Sequence, residues 1–287
     1  MADNLSHTDS PLRTLPGHAV VRLHGPEATV FAQAQFANDV TALAPGHWQW
    51  NTWLTPKGRV IALFALLKLA EDDILLLLLD MPADEFVVQL RRFVFRRKLD
   101  ITVLLDWQVN GDNSPSQAGG ARILTLGEGH ELDMGTPALP RRLRLQPLAD
   151  AAAAEADHDW RRQDLSLGVP RLGPAQRERW TPQQLSLDRL QAFSVKKGCY
   201  PGQEIVARTH FLGKAKRGLV LFQSVATIDE DMPVNVGETP VGDIVCVDSS
   251  ASAALALAVM PREQKLEGLN AGGHDLTALP LLDGLAR

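Results

Sequence analysis

The chain is poor in cysteine and lacks long apolar runs. Its 287 residues include two cysteines, Cys199 and Cys246, too few for a disulfide framework and consistent with a reducing cytoplasm. They form no cluster with histidines at metal-ligand spacing, so no permanent metal site is expected. No apolar run approaches the roughly 18 residues of a membrane span, and the polar N-terminus lacks the apolar core of a signal peptide. We expect a cytoplasmic protein without a membrane partner, and a disordered tail over residues 1–16.

Charge of one sign is concentrated in one stretch of the sequence. The net charge is −5, which argues against a molecule that binds polyanions over its whole surface. Between residues 196 and 217, however, six basic residues accompany one acid, Glu204; the basic residues are Lys196, Lys197, Arg208, Lys214, Lys216 and Arg217. Such a basic stretch suits a carboxylate-rich cofactor tail, a phosphate or RNA, although most charge runs are simply solvated.

The order of predicted elements indicates an α+β fold. Two apolar runs, 60–69 and 74–79, flank a short acidic break and predict a buried β-hairpin. An amphipathic helix is predicted over 82–98, with its arginines on the solvated face, and a strand over 101–105. Residues 110–120 are predicted to be a loop, and 149–164 a helix.

From residue 217 onward, short extended runs alternate with Gly, Pro, Asn and Ser, as in a small β-barrel. We therefore predict three regions: the tail over 1–16, an α+β region of two subdomains over 17–213, and a barrel over 214–287. Cys246 lies between two valines and is predicted to be a strand-core residue. Trp48, Trp50 and Trp53 are predicted to pack a sheet.

The segment from Lys196 to Gly202 is the candidate for chemistry. Two lysines precede Cys199, and a cationic setting favours the thiolate, which is the form that attacks or binds a metal. Without further information, a lone cysteine is more often a small buried hydrophobic residue. The segment alone therefore leaves both interpretations open.

The stretch from Lys197 to Glu204, followed by Arg208 and a basic pair at 216–217, resembles the K-G-C-Y-x-G-Q-E motif of YgfZ-type proteins, folate-binding members of the glycine-cleavage T-protein superfamily. Other stretches agree in order: 35–40 is similar to Q-x-T-x-D-V, 55–59 to a P-K-G-[KR] turn, and Trp160 with 168–170 to a W…G-x-P segment. The similarity extends from about residue 19 to the C-terminus.

The resemblance implies three subdomains around a central folate channel, the third being a small β-barrel. It implies tetrahydrofolate or a related folate as cofactor, with Trp160 offering an indole face to a flat ring. The other folate-binding candidates that it implies are His18, Asn38, Asp39, Lys57, Arg59, Tyr200, Gln203, Glu204 and Arg208. Cys199 is the implied reactive thiolate and a possible transient iron–sulfur ligand.

Three positions depart from the family pattern. His18 stands where relatives often carry a second aromatic contact, and Ser166 stands near the glutamate with which the glycine-cleavage enzyme recognises the pterin edge. Ala62 and Leu63 replace the aspartate pair that assists aminomethyl transfer, and neither side chain can accept a proton. We therefore predict that the chain is not an aminomethyltransferase.

Three functions follow as hypotheses. The first is a folate-dependent factor that supports the assembly or repair of iron–sulfur enzymes, including tRNA-modifying ones, with iron–sulfur proteins or cluster carriers as partners. The second is a folate-dependent one-carbon transferase or demethylase that uses Asn38 and Asp39. The third, ranked lowest, is direct tRNA binding by the basic stretch 196–217, which has two aromatic residues, Tyr200 and Phe211, for base stacking.

Overall fold

The computed structural model describes residues 12–148, 159–213, 215–249 and 252–287. These residues form sixteen strands and four helices. The strands are β1 (Arg13–Thr14), β2 (Ala19–His24), β3 (His47–Leu54), β4 (Val60–Ala70), β5 (Asp73–Leu78), β6 (Asp100–Val103), β7 (Trp107–Asp112), β8 (Ile123–Leu126), β9 (Gly129–Asp133), β10 (Arg142–Pro147), β11 (Arg217–Ser224), β12 (Pro233–Val236), β13 (Thr239–Asp248), β14 (Ala254–Pro261), β15 (Leu269–Ala271) and β16 (His274–Leu279). The helices are α1 (Ala28–Gln35), α2 (Ala83–Arg91), α3 (Asp159–Ser166) and α4 (Gln203–Leu212).

The first sheet has the strand order β3-β4-β5-β2-β6, and its neighbouring strands are antiparallel. The predicted hairpin is confirmed as β4 and β5. Alternate residues of β4 enter two different cores: Leu63 and Ala65 face one, while Phe64 and Leu66 face the other. A strand buried on both faces needs an apolar residue at every position, which explains the uninterrupted run. The three tryptophans of β3 are buried, as predicted.

Helix α2 is shorter than the sequence predicts. It begins after Pro82 and buries Phe86 and Leu90, but it ends at Arg91 instead of continuing to residue 98. The residues that follow form turns, and Phe95 has a φ of 49°, a left-handed conformation that a continuing helix cannot contain. The prediction that the arginines of 91–97 share one helix face is therefore wrong.

The second sheet has the order β1-β7-β10-β9-β8. It corrects two predictions. Residues 110–112, predicted as loop, belong to β7, and residues 13–14, predicted as disordered tail, pair with β7 as β1. Leu15, which follows β1, is buried, so apolar contact adds to the pairing of this segment. Residues 1–11 of the predicted tail and 149–158 of the predicted helix lie outside the described residues; α3 covers 159–166.

The predicted β-barrel is present: β11-β14-β13-β12-β15-β16 close on themselves. Closure leaves no unpaired sheet edge in this small unit. Cys246 is fully buried on β13, as predicted, and burial raises the pKa of its thiol to about 12. The barrel begins at Arg217; the predicted boundary at Lys214 falls on a residue outside the described ones and stays a prediction.

A buried ionic cluster joins the two sheets and helix α3. Asp164 accepts hydrogen bonds from Arg141 at 2.8 Å and from Arg171 at 2.7 Å. Arg171 also binds Asp80 at 2.6 Å, at the end of β5. Burial works to raise the pKa of Asp164, but the charges of Arg141 and Arg171 outweigh it and hold the pKa below its usual value. Each charge is thus compensated where water is excluded.

We predict that Asp164→Asn lowers the free energy of unfolding by about 3–5 kcal/mol at pH 7, because it leaves two buried guanidinium groups without their shared anion. A depressed carboxyl pKa contributes stability above its unfolded value, about 3.9, and loses it as the pH falls further. Urea unfolding at pH 7 and below pH 4 measures both effects. Asp229→Asn, at an exposed position, is the matched control; equal losses in the two variants would contradict the prediction.

Candidate functional site

The loop that precedes α4 carries the candidate cysteine. Cys199 and Gly198 are exposed, whereas the residues on either side of them, Lys197 and Tyr200, are buried. The loop therefore presents its thiol to solvent between two side chains that point inward. The alternative that Cys199 is a buried hydrophobic residue does not hold.

Lys197 anchors this loop. Its Nζ donates to the carbonyl oxygens of Gln33 and Phe36, each at 2.6 Å, and of Asn38 at 3.0 Å. Burial lowers the pKa of the lysine to about 8, with the charge of Asp39 opposing the shift. The ammonium group thus caps the end of α1, where carbonyl groups lack helical partners and a cation is favoured.

Consequently, the basic stretch 196–217 is less of a surface feature than its sequence predicts. Lys197 is buried, Arg217 lies 3.4 Å from Asp243, and Lys214 is outside the described residues. Lys196, Arg208 and Lys216 are the exposed cations among the described members. The sequence predicts that two lysines surround Cys199 with positive charge. In the loop, Lys196 is the exposed one of the two, and Lys197 is buried.

Two further motif residues stabilise the loop from within. The Tyr200 hydroxyl donates to the Ser194 carbonyl at 3.0 Å, and Gln203 Nε2 donates to the Lys197 carbonyl at 3.0 Å. Burial raises the pKa of Tyr200 to about 12, so the phenol keeps its proton. Glu204 and Arg208 are exposed on α4. The structure thus places Tyr200 and Gln203 as supports of the loop.

Two glycines bring the 55–59 turn against the cysteine loop. Gly202 has a φ of 82°, and a Cβ on it would lie 2.7 Å from the Cα of Gly58. A Cβ on Gly58, φ 68°, would lie 2.8 Å from the Cβ of Ile205. Only residues without side chains allow this approach. In the same turn Lys57 is exposed, while Arg59 donates to the Arg179 carbonyl at 2.9 Å.

Asn38 and Asp39 join the first sheet to the same loop region. Asn38 Nδ2 donates to the carbonyls of Trp50 at 2.9 Å and Gln191 at 2.7 Å. Asp39 Oδ1 accepts hydrogen bonds from Thr41 and from the side chain of Gln33. Burial works to raise the pKa of Asp39, but these hydrogen bonds outweigh it and lower the pKa.

A pocket of about 460 Å³ opens beside these residues. Its lining combines apolar groups, amides and charged groups: Asn38, Asp39, Ala42, Leu43, Gln49, Asp188, Gln191, Phe193, Ser194, Val195, Lys196, His210 and Arg287. The volume falls in the range of small-molecule sites. Gln49 is 7% exposed, and its buried Nε2 has no hydrogen-bond partner, so a ligand acceptor would satisfy it. The pocket therefore has the composition of a ligand site.

Most of this lining has no signal in the sequence. Gln49, Phe193 and Arg287 come from distant parts of the chain and belong to no motif quoted above. Arg287 lines the pocket while its guanidinium donates to the carbonyls of Asp133 and Gly135 at 3.1 and 2.8 Å. Only folding brings such residues together, and a single sequence does not encode their proximity in any local pattern.

The predicted ring-binding pair, His18 and Trp160, is absent from the lining of this pocket. Trp160 is 3% exposed, and the guanidinium of Arg141 lies 4.3 Å from its ring centroid. Gly111 approaches the same ring so closely that a Cβ would lie 2.6 Å away. For a flat ligand to stack on this indole, one of these neighbours would have to move. The role of Trp160 in folate binding stays a prediction.

His18 lies beside the ionic cluster. Burial, and then the charge of Arg171, lower the pKa of its imidazole to about 4, although Asp164 and Asp80 oppose the shift. Its Nε2 is buried without a hydrogen-bond partner. A neutral imidazole with one unused polar atom is therefore present where the resemblance expects an aromatic contact. Ser166 Oγ donates to the Arg162 carbonyl at 3.2 Å within α3.

Ala62 and Leu63 line a small cavity together with Asp80 and Arg177. Asp80 is the carboxylate among the lining residues, and Arg171 already binds it at 2.6 Å. The position of the aspartate pair is thus occupied by apolar side chains, and the carboxylate that lines the same cavity is engaged in an ion pair. Among the described residues, no three His, Cys, Asp or Glu side chains come together as a metal ion would require. No helix within the described ranges is long and apolar enough to cross a membrane.

The chain is similar in sequence to several known proteins. No protein-family model matches the chain. An uncharacterised protein of Haemophilus influenzae is 27% identical over 73% of this chain and 72% of its own length. The proteins named "tRNA-modifying protein YgfZ" from Serratia proteamaculans and Edwardsiella ictaluri are 26% and 25% identical, each over 81% of this chain and 78% of their own.

Among solved structures, the glycine cleavage system aminomethyltransferase T of Bartonella henselae has the same fold. The superposition has a TM-score of 0.70 and covers 93% of this chain and 83% of that one. Sequence identity is 14%, so this likeness speaks for the fold alone. It confirms the predicted α+β architecture with a C-terminal barrel.

We predict that Gly202→Ala lowers the free energy of unfolding by about 2–4 kcal/mol, since it adds a left-handed non-glycine residue and a backbone clash with Gly58. Gly198→Ala is the matched control in the same loop. No atom lies within 4 Å of its Cβ position, so its effect should stay within about 0.5 kcal/mol. Thermal unfolding of both variants measures the difference; a tolerated Gly202→Ala would refute the close-approach argument.

Proposed function

Because the chain is a YgfZ-type protein built on the fold of the glycine-cleavage T-protein, we propose that it binds a tetrahydrofolate and supports the assembly or repair of iron–sulfur enzymes, tRNA-modifying ones included. The folate is implied by the family resemblance. The observation that carries the proposal is the pocket of about 460 Å³ beside the Cys199 loop. It combines two predicted folate-binding residues, Asn38 and Asp39, with a cation of the cysteine motif region, Lys196.

The pocket residues fit a folate in chemistry. Leu43, Phe193 and Val195 supply apolar walls for a ring, and the unpartnered Gln49 amide supplies a donor for a polar ring edge. Lys196 is exposed at the pocket and suits the carboxylates of a glutamate tail. A bound folate would supply one-carbon chemistry or would act as a metabolite that the protein senses. This chain contributes a pocket with apolar sides and an exposed cation, Lys196.

The alternative site, at His18 and Trp160, is the one that the resemblance implies. The buried Nε2 of His18 favours it, but Arg141 covers Trp160, and its indole is nearly inaccessible. We therefore place the folate in the pocket at Lys196. Among the remaining folate candidates, Tyr200 and Gln203 support the loop, and Arg59 donates to the Arg179 carbonyl. The other three are exposed groups outside the pocket lining: Lys57, Glu204 and Arg208.

The apolar surroundings of Ala62 and Leu63 support the prediction that this protein does not transfer aminomethyl groups. A general base must reach the proton that it removes, and the carboxylate near these residues is engaged by Arg171. A one-carbon transferase that uses Asn38 and Asp39 remains the second candidate, because both line the pocket. The hydrogen bonds that already engage both side chains disfavour it.

Cys199 is the group that we assign to the work on iron–sulfur proteins. Its exposure lets a partner protein reach the thiol, and the cluster or iron species is cargo that the thiolate would bind for a short time. The second thiol, Cys246, is buried in the barrel with a raised pKa and takes no part.

We predict that Lys196→Gln weakens tetrahydrofolate binding about tenfold or more, because a hydrogen bond to a charged partner contributes about 1.5–3 kcal/mol. Anaerobic calorimetric titration measures the affinity. Lys216→Gln removes an exposed lysine of the same stretch outside the pocket lining and should leave affinity unchanged. Trp160→Phe separates the two sites: if it abolishes binding while Lys196→Gln does not, the folate occupies the His18–Trp160 region. Absence of binding to the unaltered chain would reject the folate proposal.

We predict that Cys199→Ala fails to restore iron–sulfur enzyme activity in a strain that lacks the native gene, although the protein accumulates and folds normally. The exposed position makes the substitution structurally mild. Cys246→Ala deletes the other thiol and should restore activity in proportion to the folded protein present. Full restoration by Cys199→Ala would end the thiolate proposal while leaving folate binding untouched.

A further inference from the structure

The segment Arg91–Lys98, which we call the arginine–phenylalanine segment, has no part in the pocket or in the cysteine loop. Its eight residues include five cations and two phenylalanines in an acidic chain. It begins at the last residue of α2 and continues through turns before β6. The cations and rings are therefore close together on one short surface stretch.

Phe95 is the most unusual residue of this segment. Its side chain is 87% exposed, and its φ is 49°. A bulky residue rarely adopts the left-handed conformation. A large apolar ring that stays exposed to water also lacks the stabilisation that burial would give it. Such a strained and exposed position points to a contact with another molecule.

The base of the segment is rigid. Phe86 and Leu90 of α2 are fully buried, and Phe93 meets the buried Trp53 edge-on, with ring centroids 6.3 Å apart. Phe93 itself is 38% exposed. Arg97 pairs with Glu27 at 3.2 Å. The exposed ring of Phe95 is thus mounted on a fixed support rather than on a free chain end.

Three cations beside the ring are available to a ligand. Arg92, Arg96 and Lys98 are exposed, and within the described ranges none of them has a carboxylate within salt-bridge distance. Their charge contrasts with the net −5 of the chain, so it creates a local attraction for anions.

We propose that the arginine–phenylalanine segment binds single-stranded RNA, with a base stacked on Phe95 and phosphates held by Arg92, Arg96 and Lys98. Stacking platforms flanked by cations are the common means of binding unpaired nucleic acid. A membrane surface fits less well, because an interfacial anchor presents a continuous apolar helix face and this segment is formed by turns. The proposal does not depend on folate binding, and it assigns RNA to a different surface from the 196–217 stretch.

The test is the binding of a fluorescein-labelled 12-nucleotide single-stranded RNA to the full chain, measured by anisotropy at several KCl concentrations. Arg92→Gln with Arg96→Gln should weaken binding and reduce the slope of log K against log salt by about 1.4, since each phosphate contact contributes about 0.7. The matched control removes two exposed cations elsewhere, with Arg122→Gln and Lys265→Gln, and should leave the slope unchanged.

Phe95→Gly distinguishes ligand contact from folding. Glycine adopts positive φ without strain, so the melting temperature should not fall, while loss of the stacked ring should weaken RNA binding about fivefold or more. Two outcomes for RNA would overturn the proposal: no salt-dependent binding by the unaltered chain, or equal losses of binding in the two double variants. A third would also overturn it: the substitutions weaken binding to vesicles with anionic lipid and leave RNA binding unchanged.

Discussion

A single buried ammonium group holds the candidate site together. Lys197 donates to three backbone carbonyls at the end of α1 and in the segment that follows, and these carbonyls belong to the stretch that carries Asn38 and Asp39. The charge of Asp39 in turn favours the protonated lysine. One side chain therefore fixes both the loop that exposes Cys199 and one wall of the neighbouring pocket. The structural role of Lys197 is to bind these carbonyls. Its position two residues before a cysteine in the sequence does not suggest that role.

The other motif residues follow the same logic. Tyr200 and Gln203 bind carbonyls of their own loop, and Gly202 allows the turn at Gly58 to approach within backbone contact. A motif can thus consist mainly of residues that build a loop. In this chain the loop presents the thiol of Cys199 to solvent. Of the two lysines that precede it in the sequence, Lys196 is exposed beside it and Lys197 is buried as the anchor of the loop.

Secondary-structure elements could be predicted from the sequence where their pattern lies within a short stretch of the chain. The prediction was wrong where an element depends on contacts between residues that are far apart in the sequence. The β4–β5 hairpin and the barrel strands were predictable because burial on two faces, or alternation with turn residues, leaves a mark within ten residues. Helix α2 was predicted too long because the apolar spacing continues to Phe93, whereas the chain leaves the helix after Arg91, with Phe93 against the distant Trp53 and a positive φ at Phe95. Strand β1 escaped prediction because two residues carry no periodic signal, and their pairing with β7 is a long-range contact.

The candidate site shows the same division. Cys199, Asn38 and Asp39 were identified from motifs, but the pocket that gives them a common surface needs Gln49, Phe193 and Arg287 from separate segments. The ionic cluster of Asp80, Arg141, Asp164 and Arg171 left no trace in the sequence beyond isolated charges, since pairing is visible only after folding.

The two thiols constrain the role toward iron–sulfur proteins that we propose for the chain. A cluster takes about four ligands, whereas Cys246 is enclosed in the barrel and Cys199 is the one thiol at the surface. One thiolate supplies one ligand, so a cluster bound at Cys199 would have to keep its remaining ligands on the partner that brings it. The exposure of the thiol on a rigid loop is what such an exchange requires, because the partner must approach closely enough for both proteins to bind the same cluster. A folate site beside that loop would then place a second ligand within reach of the contact, and occupancy of the pocket would alter the surface that the partner meets.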